Sequence, residues 1–131
     1  MAQAPIRPLS PFVSIWRWHV TMAGSILHRV AGVANYAVAI ALAVWLLALA
    51  AGPATFQPLD DLLHTPLGEV ALYGATLSLA YHWAGGVRHL IWDAGHGLAP
   101  QTGSALAWAS LLFGVVAVGA MWALVHYGSA P

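Results

Sequence analysis

An apolar run from Val30 to Ala51 is the feature that most constrains the fold of this chain. It contains no acidic or basic residue and is long enough to cross the roughly 30 Å hydrocarbon core of a bilayer as one helix. Of the 131 residues, 60% are hydrophobic and 6% are charged, whereas roughly a quarter of the residues in a soluble domain are charged. The sequence therefore predicts an integral membrane protein.

The chain is predicted to be all-α, a single membrane-anchor domain over residues 1–131 with three transmembrane helices at about residues 22–51, 67–92 and 105–127. Residues 1–20 hold three prolines and a tryptophan on each side of Arg17, which is typical of an interfacial segment. Residues 52–67 hold three prolines and two adjacent aspartates. We expect them to form an acidic connecting loop on the opposite side, with at most a short helical turn at 59–63.

The basic residues indicate the orientation of the chain in the membrane. All four are arginines, namely Arg7, Arg17, Arg29 and Arg88, and the predicted spans place all of them on one side. Because cytoplasmic flanks carry the excess of basic residues, we expect a cytoplasmic N-terminus and a C-terminus on the other side. The sequence has no basic patch suited to nucleic acid, and without cysteine any metal must be held by histidine or carboxylate.

His82 is the most deeply placed polar candidate. On a helix it lies roughly 9 Å further into the membrane than Arg88, and Gly85 and Gly86 leave an open face beside it that would suit a flat tetrapyrrole. A haem ligated by two histidines would need a second histidine at the same depth, which we place near Asn35 and Leu111. Neither neighbourhood offers one, so the other ligand would come from another chain.

Two alternatives to this interpretation of His82 stay open. The histidines can be neutral groups packed in the core of a haem-free membrane scaffold or transporter subunit. Alternatively, His28 and His89 can ligate a haem within this chain. Three helices close a bundle poorly, and glycines on more than one span favour packing against partner helices in either case.

Two polar groups lie near the predicted cytoplasmic ends of the helices. Ser25, His28 and Arg29 share adjoining parts of one helix face, where they could hold haem propionates or a quinone head group. The alternative is an arginine that reaches membrane lipid phosphate. His89 and Asp93 are four residues apart and could hydrogen-bond, either as an ion-paired helix end with Arg88 or as a propionate anchor or proton path. The remaining histidines are predicted to be interfacial or in loops: His19, His64, His96 and His126.

Three motifs resemble one known family. RPLSPFVSIWRW at 7–18, SILHRVAGV at 25–33 and YHWAGGVRHLIWDAGHGL at 81–98 are similar to the large cytochrome b membrane-anchor subunit of succinate dehydrogenase, respiratory complex II. The RPLSP opening points to the alphaproteobacterial and mitochondrial branch. One departure is Gly85, where many members carry asparagine.

The resemblance implies that this chain is half of a heterodimeric anchor in a bacterial inner membrane, with a periplasmic C-terminus. A second small membrane subunit would share one haem b with it, and flavoprotein and iron-sulfur subunits would dock on the pair. His82 matches the family's axial iron ligand, and Ser25 and Arg29 match its quinone site. His28 and Arg29 match positions near the haem propionates, with His89 as a further candidate. The chain would then take part in quinone reduction without oxidising succinate itself.

Overall fold

The computed structural model describes residues 16–128, which form four helices in the order α1 (Val20–Ala51), α2 (Pro53–Leu63), α3 (Pro66–Asp93) and α4 (Pro100–Tyr127). The all-α prediction is confirmed, and α1, α3 and α4 correspond to the three predicted spans. The largest difference is at the start of α4, which begins at Pro100 instead of near residue 105. Most of the predicted interfacial segment, residues 1–15, lies outside the described residues, and residues 16–19 are exposed and non-helical.

The connection between the first two spans is more helical than expected. Residues 52–67 contain α2, an eleven-residue helix with Pro58 inside it, where we expected no more than a turn. Proline is tolerated in the first helical turn, so Pro53 favours the start of α2. Beyond its end, His64 Nδ1 donates to the carbonyl of Asp60 at 2.8 Å. This backbone hydrogen bond, with the nearby Asp60 carboxylate, raises the pKa of His64.

Helix α3 is the centre of the fold and contacts α1, α2 and α4. Its contacts with the two long helices are made at small buried residues, since these let backbones approach closely. On α1 and α4 these residues are Gly24, Ala31, Ala107, Ser110 and Gly114. The helices therefore meet through a narrow polar and small-residue core, and large apolar side chains such as Val33 and Leu47 face outwards.

Two of the three long helices, α1 and α4, are apolar and long enough to cross a membrane. Helix α3 has the same length as α4, 28 residues, but it does not reach the same hydropathy. The difference comes from its polar residues, which include Glu69, His82, Arg88 and His89. These residues give α3 the chemistry of the site described next.

Candidate functional site

His28 of α1 and His82 of α3 form a reciprocal pair at the centre of the candidate site. Their rings stack at 4.1 Å between centroids, with only 8° between the ring planes. His82 Nδ1 donates to the backbone carbonyl of His28 at 3.1 Å, and His28 Nε2 donates to the carbonyl of His82 at 3.1 Å. Two reciprocal hydrogen bonds, each from one imidazole to the backbone carbonyl of the other histidine, thus join α1 and α3.

This arrangement corrects the depth that we assigned to His28. We took Arg29 and Arg88 as level and so expected Asn35 opposite His82. Instead Arg88 lies beside Gly24, which shifts α1 against α3 and brings His28 to the level of His82. Asn35 lies about two turns further along α1, where its Oδ1 accepts a hydrogen bond from Ser78 at 2.7 Å.

The hydrogen bonds define the tautomers of both imidazoles. A carbonyl oxygen only accepts, so the proton of His82 is on Nδ1 and that of His28 is on Nε2. In the neutral imidazole of His82, Nε2 then carries no proton and keeps its lone pair. A ligating histidine commonly has this arrangement, with one nitrogen free for metal and the other donating to a backbone carbonyl.

Two glycines make room for the pair. An added Cβ at Gly32 would lie 3.1 Å from His82 Cε1, and one at Gly85 would collide with the His28 imidazole. We expected Gly85 and Gly86 together to leave an open face. That is right for Gly86, where a Cβ would meet nothing within 4 Å, and wrong for Gly85, which His28 covers.

His89 lies next to this pair without joining it through a hydrogen bond. Its ring meets His28 edge-on at 5.3 Å and Trp92 at 5.2 Å. The expected hydrogen bond between His89 and Asp93 is not formed, and both residues are exposed. Because the His28 and His89 rings are in contact, the space between them does not accommodate a tetrapyrrole. Residues 16–128 contain no cluster of three or more side chains suited to a free metal ion.

Ser25 and Arg29 lie one turn apart on α1, on the same helix as His28. Ser25 is half-buried and Arg29 is exposed, and neither side chain takes part in the hydrogen bonds among residues 16–128. The structure therefore leaves a hydroxyl and a guanidinium available to a ligand or to another subunit. Ser25 and Arg29 lie near the start of α1, where they were predicted.

Two contacts in the core were not anticipated. Tyr81 donates its hydroxyl to the carbonyl of Gly24 at 2.8 Å, and Arg88, which we expected at the membrane surface, is buried. Both contacts depend on how α1 and α3 pack, and a local sequence pattern does not predict that packing. The only advance signal was the shared face of Tyr81, Gly85 and Arg88, at helical spacing along α3.

The chain has similarity to membrane subunits of respiratory enzymes. The family described as succinate dehydrogenase/fumarate reductase transmembrane subunit matches residues 3–121. A succinate dehydrogenase cytochrome b556 subunit from Paracoccus denitrificans is 37% identical over 92 residues, covering 70% of this chain and 71% of the relative. The Rickettsia prowazekii cytochrome b556 subunit is 28% identical over 116 residues, covering 88% and 90%. The mitochondrial cytochrome b560 subunit of Sus scrofa is 40% identical over 101 residues, covering 72% of this chain and 58% of the relative.

Proposed function

Because the chain belongs to the succinate dehydrogenase/fumarate reductase transmembrane subunit family, as a cytochrome b membrane anchor, we propose that it binds haem b through His82 and helps to form a quinone-reduction site. Haem b would be shared with a second small membrane subunit. The iron-sulfur and flavoprotein subunits would dock on this pair and supply the electrons taken from succinate.

The observation that carries the haem assignment is the hydrogen bond between His82 Nδ1 and the His28 carbonyl. The Nδ1–H of His82 is held by this carbonyl, so Nε2 can donate its lone pair to iron without first losing a proton. Gly32 leaves the space that the His82 ring occupies. A bound haem b would supply a one-electron redox centre at this depth.

A second chain is proposed to complete the haem site. In residues 16–128 the histidines nearest to His82 are His28, whose Nε2 is already bonded to a carbonyl, and His89, which touches His28. Neither is placed to bind the opposite face of the same haem. Exposed apolar side chains along α1, including Val33 at 73% and Tyr36 at 72%, suit packing against another membrane helix.

The quinone site is proposed at Ser25 and Arg29. Both side chains can donate to the carbonyl oxygens of a quinone, and Arg29 also favours any negative charge that develops there. His28 and Arg29 are further candidates to hold haem propionates, with His89 beside them. His28 keeps its Nδ1 as an acceptor, since Nε2 carries its proton.

The topology follows from the same proposal. Helices α1, α3 and α4 would each cross the bacterial inner membrane, with the N-terminus in the cytoplasm and the C-terminus in the periplasm. Arg88 and His82 can lie within the membrane in α3 because the neighbouring helices surround them. Arg17 and Arg29 then lie at the cytoplasmic end of α1, in accord with the distribution of positive charge.

An affinity tag on this chain tests the proposed assembly. Purification from membranes should recover a flavoprotein, an iron-sulfur protein and a second small membrane protein, together with a b-type absorption spectrum. Deleting the chain should leave dye-linked succinate oxidation in the soluble fraction and abolish succinate-dependent quinone reduction in membranes. Retention of full quinone reductase activity in the deletion strain would contradict the assignment.

Replacing Gly85 with alanine should disturb the haem site without touching a proposed ligand. The new Cβ would displace the His28 imidazole and break its hydrogen bond to His82, at a cost of about 1–3 kcal/mol. We expect an altered haem spectrum and a lower thermal stability of the purified complex. Gly119→Ala is the matched control, because a Cβ there meets nothing within 4 Å. Equal behaviour of the two variants would show that the close packing of His28 on Gly85 is unimportant.

A further inference from the structure

Arg88 is a buried cation that has no counter-ion among residues 16–128. Its side chain is 2% exposed, and its Nε and Nη1 atoms are buried without a hydrogen-bond partner among the described residues. No acidic side chain of residues 16–128 pairs with it. An unpaired buried charge is costly, so its retention at this position calls for an explanation.

The surroundings hold the guanidinium in one place. It lies over the Trp92 ring, with Cζ 4.9 Å from the ring centroid, and the Trp92 indole N–H donates to the carbonyl of Gly97 at 3.2 Å. Nη1 lies 3.1 Å from where a Cβ of Gly24 would be. Aromatic stacking and a close approach to the α1 backbone therefore orient the charge towards α1.

That position is close to the proposed quinone site. Gly24 precedes Ser25, and adjacent Cα atoms are about 3.8 Å apart, so the Arg88 guanidinium lies within roughly 10 Å of the Ser25 hydroxyl. Buried protein surrounds the guanidinium on this side, because Gly24, Tyr81 and Ala107 are all buried around Arg88. The field of a charge acts strongly through such a medium.

We propose that Arg88 stabilises negative charge on the quinone bound at Ser25 and Arg29, and so favours its reduction without touching it. This inference rests on the proposed function. Conversion of a quinone to a quinol adds two electrons, which the iron-sulfur subunit supplies, and two protons from the aqueous phase. Whenever an electron arrives before its proton, the quinone oxygen is negative, and a fixed cation behind it lowers the energy of that state.

Two inhibitors of one shape separate this electrostatic role from a structural one. Pentachlorophenol is an anion at neutral pH, whereas pentachloroanisole is a neutral analogue of similar size. In the purified four-subunit complex, Arg88→Gln should weaken binding of the phenolate about tenfold and that of the anisole by no more than about twofold, as expected for a charge roughly 10 Å away. Arg88→Lys should retain most of the phenolate affinity. Equal weakening of both inhibitors, or of neither, would overturn the proposal.

A second pair of variants keeps Arg88 in place. Ala107 lies near Arg88, because the Cβ position of Gly24 is 3.8 Å from the Ala107 Cβ and 3.1 Å from Arg88 Nη1. Ala107→Asp would provide a carboxylate for Arg88 and should weaken the phenolate selectively, whereas Ala107→Asn should not. If the Arg88→Gln complex does not assemble, these two Ala107 variants still test whether the charge of Arg88 acts on the bound anion. If Ser25→Ala and Arg29→Ala leave the affinity of both inhibitors unchanged, the quinone site itself is misplaced, which is a different failure.

Discussion

Replacing His82 with alanine should abolish or strongly alter the b-type haem spectrum of the purified complex. The variant removes Nε2, the nitrogen left free when Nδ1 donates to the His28 carbonyl, and with it the proposed bond to the haem iron. Loss of a first ligand is expected to weaken haem retention far more than loss of an outer hydrogen bond, which costs about 10- to 100-fold in affinity at other metal sites. Optical spectra of the oxidised and dithionite-reduced complex measure the effect.

His126→Ala is the matched control for His82→Ala. His126 lies in the last turn of α4, where its Nδ1 donates to the carbonyl of Trp122 and its side chain is exposed, so its loss should leave the spectrum unchanged. A His82→Gly complex should regain a b-type spectrum when imidazole is added. An unchanged b-type spectrum in His82→Ala would show that another residue binds the haem. A wild-type complex without a b-type spectrum would favour the haem-free scaffold, in which His28 and His82 are packed core histidines.

Replacing Ser25 or Arg29 with alanine should separate quinone reduction from succinate oxidation. Each variant removes a donor to the quinone, and hydrogen bonds involving charged groups are worth about 1.5–3 kcal/mol, so Arg29→Ala should lower succinate:quinone reductase activity by about 10- to 100-fold. Ser25→Ala removes a neutral donor and should have a smaller effect, about fivefold to tenfold. Succinate oxidation by an artificial dye should stay largely intact.

The control for Arg29→Ala is Arg17→Ala, an exposed arginine just before α1, which should leave quinone reduction nearly unchanged. Equal loss of the dye-linked and quinone-linked activities would indicate impaired assembly of the complex. Full quinone reductase activity in both the Ser25 and Arg29 variants would place the quinone elsewhere.

Much of the fold could be predicted because it depends on local properties of the chain. The apolar run at 30–51 specifies most of α1, and Gly52, which has a φ of +103°, ends it where predicted. Helix α3 begins at Pro66, close to the predicted start near residue 67. Helix α4 begins at Pro100, ahead of the predicted start near residue 105, and the preference of proline for helix starts explains the difference. Helix α2 was underestimated because its two prolines were interpreted as breaks, although Pro53 favours the helix start and Pro58 is accommodated inside it.

The relation between α1 and α3 could not be predicted, because it depends on tertiary packing. Counting residues from Arg29 and Arg88 assumed that both end at the same membrane surface, yet Arg88 turns inward to Gly24 and Trp92. The inward position of Arg88 shifts α1 along α3 by about two helical turns relative to the predicted register. His28, and not Asn35, therefore meets His82. The importance of His82 could be inferred from its depth, but its hydrogen-bond partner could not.

A cryo-EM map of the complete complex tests the central claim most directly. We expect a haem whose iron is bonded to Nε2 of His82, with Nδ1 still donating to the His28 carbonyl and the opposite axial nitrogen supplied by the second membrane subunit. A haem iron bonded to His28 or His89, or a map without a tetrapyrrole beside His82, would contradict it.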